Sequence, residues 1–140
     1  MADEIEAIKQ LKARYFRTMD TKDWDGMRQV FTDGVVMDTS ESGGGVVTGA
    51  DEFMAFLRDV LADAVTVHHG HMPEITLTSD TTATGVWAME DTIRWPDGTK
   101  LHGFGHYHET YEKQDAGWRI KTMTITRLHR LVEGSNPFSD

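Results

Sequence analysis

The sequence predicts an α+β fold in which a few helices pack on one face of a strongly curved antiparallel sheet. Three observations lead there. Apolar residues recur at helical spacing through most of the first sixty positions. From Val65 onward the chain changes to long stretches rich in β-branched and aromatic residues, separated by short turn sequences. Helices first and a meander afterwards is the order of an α+β architecture, and 140 residues suit one domain, 1–140, with a real core.

The elements follow in order. Ile5, Ile8, Leu11, Tyr15, Phe16 and Met19 form an apolar stripe with Lys9, Lys12, Arg14 and Arg17 between them, which predicts an amphipathic helix from about Asp3 to Asp20. Thr21-Lys22-Asp23 breaks it, and Asp23 can cap a shorter helix carrying Trp24, Met27, Val30 and Phe31. Asp33-Gly34 ends that helix and Val35 to Thr39 reads as a strand. Ser42 to Gly45 is a flexible turn before a short strand at Val46-Val47. A third helix starts at Gly49-Ala50-Asp51, with Phe53, Phe56, Leu57, Val60 and Leu61 on one face.

The meander comprises Val65 to Thr78, Thr82 to Trp95, Lys100 to Lys113 and Trp118 to Leu131. Pro73 implies a bulge or an edge in the first of these strands. Residues 133–140 read as a loosely ordered tail.

Composition excludes several classes. A formal charge of −9 argues against a nucleic-acid partner, because a phosphate backbone needs clustered Lys and Arg. There is no cysteine, hence no disulfide framework, thiol nucleophile or zinc–thiolate site. The acidic N-terminus leads straight into a helix, unlike a leader peptide, and no apolar run has the length of a membrane span. The expectation is a cytoplasmic protein with no membrane partner.

Candidate chemistry centres on Val67-His68-His69-Gly70-His71, three imidazoles in four residues. Histidine exchanges protons near neutral pH, and a carboxylate on its far ring nitrogen orients it and stabilises its charged form. Strand neighbours point to opposite faces, so His68 and His69 cannot both enter one pocket. Asp20 borders the apolar face of the first helix in its last turn, where an anion opposes the helix dipole. Either it has a partner, with His68 the obvious one, or it is a solvated helix end. Asp91 sits mid-strand with Trp87, Met89 and Ile93 at the same parity, a place strands disfavour for aspartate. Arg127 could balance its charge or face solvent. A second cluster holds His102, His106 and His108; His106-Tyr107-His108 followed by Glu112 has a spacing seen in cupin metal sites, but a cupin is almost all strand and this chain opens with helices. No metal and no cofactor are therefore expected.

Taken in order, Ile8, Leu11, Tyr15 and Asp20, Asp23-Trp24, Val35 to Asp38, Gly49 with Phe53, Thr66-Val67-His68-His69, Ala83-Thr84-Gly85 and Gly117-Trp118-Arg119-Ile120 resemble the SnoaL-like branch of the NTF2-like, or cystatin-like cone, superfamily. The chain is most similar to the dehydratase group that contains bile-acid 7α-dehydratase and scytalone dehydratase. The resemblance implies catalytic roles for Tyr15, Asp20, His68 and Asp91, and for Arg127 with Arg130 as an alternative that alignment leaves open. The expected reaction is cofactor-free proton abstraction next to a carbonyl and loss of water from an apolar cyclic substrate such as a steroid or polyketide. Trp87, Met89, Phe104 and His106 are the expected substrate contacts. An isomerase or cyclase with the same base, or a non-catalytic binder, are the alternatives. Trp95, Tyr107, Tyr111 and Trp118 look too numerous for one small core and suggest an apolar outer sheet face. With the resemblance, they suggest a homotrimer, or else a dimer.

Overall fold

The computed structural model describes residues 3–134. Its elements run α1 (Glu4–Asp20), α2 (Trp24–Arg28), β1 (Phe31–Asp38), a 3₁₀ turn (Ser40–Ser42), β2 (Val46–Thr48), α3 (Ala50–Leu61), β3 (Val65–Leu77), β4 (Thr82–Arg94), β5 (Lys100–Gln114) and β6 (Gly117–Glu133). The six strands form one sheet in the order β2-β1-β6-β5-β4-β3. β3 to β6 are an antiparallel meander, and β1 joins it by pairing parallel with β6. The three helices pack on one face of this curved, open sheet, which is the cone expected from the sequence.

Helix α1 forms because its stripe is buried: Ile8, Leu11, Tyr15 and Met19 are nearly inaccessible. Asp3 caps it by accepting from the Glu6 amide. Lys12 lies on the same stripe, fully buried, with Nζ 2.6 Å from Glu109 Oε2 of β5 and 3.5 Å above the Tyr107 ring. Phe16 reaches β3 at Gly70, where a Cβ would stand 2.8 Å from its ring, so only glycine permits the approach.

Three expectations need correction. Phe31, Asp33 and Gly34 belong to β1, since α2 stops at Arg28 and Phe31 pairs with Ile120. The helix signal was too short to outweigh a ladder with a distant strand. The outer-face aromatics are buried: Trp95, Tyr107, Tyr111 and Trp118 are at most 7% exposed. Tyr107 and Tyr111 share the inward parity of β5, while the Trp95 indole donates to Val60 O and the Trp118 indole to Glu4. Glu133, placed in the tail, ends β6 opposite Lys100; the rest of that tail, 135–140, lies outside the described residues. The irregularity expected at Pro73 is present, as β3 shifts register against β4 between His71 and Glu74, with Met72 at φ +40°.

No helix among the described residues is long and apolar enough to cross a membrane.

Candidate active site

The carboxylate in the last turn of α1 is rewarded by three donors. Thr66 Oγ1–H donates to Asp20 Oδ1 at 2.9 Å, the His68 amide donates to Oδ2 at 2.8 Å, and His68 Nδ1 lies 2.8 Å from Oδ1. Two-residue periodicity puts Thr66 and His68 on the inward face of β3, so one strand edge supplies all three. Burial alone would raise the Asp20 pKa, but the His68 and Thr66 hydrogen bonds outweigh it and hold the carboxyl below its usual range. An ionised carboxylate only accepts, so Nδ1 carries a proton, and in the neutral ring Nε2 is left as the acceptor. That nitrogen faces Asp91, 4.0 Å from Oδ2.

Asp91 comes from the inward face of β4 and is 4% exposed. Arg127 of β6 grips it with both terminal nitrogens, Nη1 to Oδ1 at 2.8 Å and Nη2 to Oδ2 at 3.0 Å. Such a two-pronged pair fixes orientation as well as charge. Arg127 is held in turn by Ser42 Oγ, 2.9 Å from Nε, and its amide donates to Glu41. The pair depends on Gly103 of β5, between the two strands. A Cβ there would lie 2.1 Å from Arg127 Nη1 and 2.6 Å from Asp91 Oδ1. Arg127, not Arg130, meets Asp91; Arg130 leaves its buried Nη1 without a partner.

A small cavity of about 50 Å³ lies against His68, Asp91 and Arg127. Its polar wall is Tyr15, His68, Asp91, Tyr107 and Arg127, and its apolar wall includes Met19, Phe53, Phe56, Leu57 and Ile125. The Tyr15 and Tyr107 rings meet edge to face at 5.9 Å. Burial raises both phenol pKa values, so the hydroxyls stay protonated donors at neutral pH. The Tyr15 hydroxyl is bonded to the Tyr107 side chain and donates to a weak acceptor, Met123 Sδ, at 3.8 Å.

Tyr15, His68, Asp91 and Arg127 thus share one cavity, and Asp20, the fifth residue expected to be catalytic, stands behind His68, bonded to its Nδ1. The expected substrate contacts fare differently. Trp87 and Met89 lie on the inward face but do not line the cavity, because the Trp87 indole is turned to the Tyr111 hydroxyl at 3.0 Å. Phe104 and His106 are on the opposite face of the sheet: Phe104 stacks near His129 and His106 lies near His108. The alternation of β5 forces this, since Gly103, Gly105 and Tyr107 take the inward positions. His69 is exposed, as alternation requires.

Thr66, Ser42 and Tyr107 were missed. Thr66 shares parity with His68, and Tyr107 shares it with Glu109 and Tyr111, so parity was a usable signal for these two. Nothing local marked Ser42, which acts through Arg127 some 85 residues away.

His106, His108 and Glu112 do not form a metal site, because residues four apart on a strand are about 13 Å apart. Among the described residues, one group has imidazoles and a carboxylate close enough to share an ion: His69, His71 and Glu90, on the outer face and outside the cavity.

Residues 1–124 match the family of SnoaL-like domains. The probable cyclase FGR4 of Gibberella zeae is 25% identical over 138 residues, covering 87% of this chain and 89% of its own. Two solved structures from Novosphingobium aromaticivorans share the fold. A protein named for aromatic ring hydroxylases is 23% identical with a TM-score of 0.88, covering 98% of this chain and 96% of its own. A scytalone dehydratase-like protein is 18% identical with a TM-score of 0.84, covering 95% and 89%.

Proposed function

Since the chain belongs to the family of SnoaL-like domains, we propose that its cavity catalyses cofactor-independent, dehydratase-type elimination from a small hydrophobic cyclic substrate. The observation that carries this reading is the chain of contacts from Asp20 through His68 to Asp91 and Arg127, beside two phenol donors in a largely apolar cavity.

His68 Nε2 removes a proton from carbon next to a carbonyl, and Asp20 stabilises the imidazolium that forms. Tyr15, with Tyr107 beside it, donates to the carbonyl oxygen as it takes on enolate charge, a preorganised donor pair in a low-dielectric site. Collapse of the enolate expels the hydroxyl on the next carbon. Both Asp91 oxygens already accept from Arg127, so Asp91 orients that hydroxyl, and the proton it leaves with returns from His68. Proton count and charge close over the cycle.

A ligand pocket usually encloses ~300–1,000 Å³, far above the 50 Å³ of this cavity. The substrate therefore enters by displacing part of the apolar wall, and α3, which supplies Phe53, Phe56 and Leu57, is the element that moves.

A second reading keeps the base and omits the leaving group. An isomerase or cyclase is supported by the likeness to FGR4. Deuterium exchange at the acidic carbon of cyclic β-hydroxy ketones in D₂O tests the base common to both readings. Exchange by the wild type and none by His68→Ala is expected. Loss of water from the product separates elimination from rearrangement. Binding without exchange or product would assign the cavity to a binding protein instead.

For assembly we infer a homotrimer, or else a dimer, through the outer sheet face, where Val65, Val67 and Leu131 are 65%, 41% and 54% exposed. They line a depression that also includes Thr92 and His102.

A further inference from the structure

Of the seven histidines, His68 alone enters the cavity. The strand register gathers the others on the outer face. His69 pairs with Glu90, Glu90 with Phe104 and Phe104 with His129; one row away, His71 pairs with Ala88 and Ala88 with His106. Glu90 is the carboxylate of this patch, with His102 Nε2 2.8 Å from one oxygen and His71 Nε2 3.9 Å from the other.

We propose that His69, His71 and Glu90 form a binding site for a divalent transition-metal ion, zinc by preference, with His102 positioning Glu90. The nearest ligand atoms of the three all lie within 4.8 Å of one another. Zinc held by bonds of about 2.0–2.2 Å needs ligand atoms about 3.4 Å apart, and exposed side chains close that gap by rotation, without backbone movement. His69 and His71 point the same way because they are two apart on one strand, and Glu90 faces His69 directly across the ladder. Their ring centroids are already 6.1 Å apart and inclined at 68°.

The donor set selects the metal. Two imidazoles and one carboxylate suit zinc, copper or nickel, whereas magnesium and calcium prefer oxygen donors alone. Glu90 can bind through the oxygen near His71 while the other accepts from His102, the outer-shell bond that fixes a ligating carboxylate. A fourth position is left for water. The net charge of −9 favours a cation. The ion would clip β3 to β4 beside the register shift after His71, on the strand that carries His68 inward.

The experiment is zinc titration of the untagged full chain, stripped by chelator, near neutral pH and followed by calorimetry and thermal melting. Saturable binding of one zinc per chain with a rise in Tm is expected. His71→Ala and Glu90→Gln should each weaken it at least tenfold, and His102→Ala by about 10–100-fold, as for outer-shell partners elsewhere. His108→Ala, whose imidazole bonds Thr126, should leave it unchanged. Cobalt in place of zinc should give the visible absorption of a low-symmetry site, lost in His71→Ala. Absence of saturable binding, or equal weakening by His108→Ala, overturns the proposal and leaves Glu90 as the hydrogen-bond partner of His102 alone.

Discussion

In the proposed mechanism the central role falls to one nitrogen, His68 Nε2. His68→Ala should abolish turnover, and Asp20→Asn should cost on the order of 10²–10⁴-fold in kcat. Asn can still bond Nδ1 but cannot offset the imidazolium charge. His69→Ala is the control and should leave kcat unchanged, because that side chain faces the other side of β3. An inactive His69→Ala beside an active His68→Ala would reverse the assignment. Gly103→Ala tests the second carboxylate and its guanidinium without replacing either. Its new methyl would occupy the place of Arg127 Nη1, so kcat should fall with Arg127 and Asp91 both intact in sequence. Much of this was legible in the residues themselves: a helix-end aspartate and a mid-strand aspartate are each uncomfortable alone. Ser42 was not, because its partner is reached only when β6 crosses behind the 3₁₀ turn.

Among elements, α1 meets the sheet through an ion pair no periodicity could announce. Lys12 looks like a solvent-facing lysine in the stripe pattern, yet it pairs with Glu109, which also accepts from Tyr111 at 2.6 Å. Lys12→Met should cost about 3–5 kcal/mol in chemical denaturation, since it strands a buried carboxylate. Adding Glu109→Gln should recover most of it. Burial lowers the Lys12 pKa from 10.5 to about 8 despite Glu109. Between those values the unfolded chain holds a proton that the folded chain has released, so stability rises with pH through the window. Wild type should therefore gain on Lys12→Met from about pH 8 to 10. Helix α3 carries a different prediction. Leu57→Ala should cost about 2–5 kcal/mol while raising kcat/KM for bulkier rings, because Leu57 fills cavity wall. The sequence marked α3 well by its apolar face, and marked β1 poorly, since the start of β1 is fixed by Ile120.

For the whole molecule, the inferred assembly runs through the outer sheet face. If it is an interface, light scattering at micromolar concentration should give three times the chain's 15.8 kDa, or twice for the dimer. Val67→Glu, which puts charge into the exposed patch, should return the monomer. A wild-type mass of one chain would remove the inference. The α+β class was readable from the order of helical and strand-like segments. Tyr107 and Tyr111 keep the parity of Gly103 and Gly105 and could be placed inside by alternation, whereas Trp95 lies just beyond β4, where alternation gives no guide.

The parallel pairing of β1 with β6 has a kinetic side. Residues 36–38 find their partners at 122–124, so the sheet cannot be completed until nearly all of the chain has left the ribosome. Until then β1 has only the short β2 beside it, and the other edge stays open. Closing so long a loop is entropically slow, which places refolding in the millisecond-to-second range of strand-dominated topologies rather than that of helical bundles. The guanidinium that grips Asp91 arrives on that same last strand. The Asp91–Arg127 pair of the candidate site is thus assembled only as β6 docks, and a nascent chain stalled before β6 would hold the Asp20–His68 pair without it.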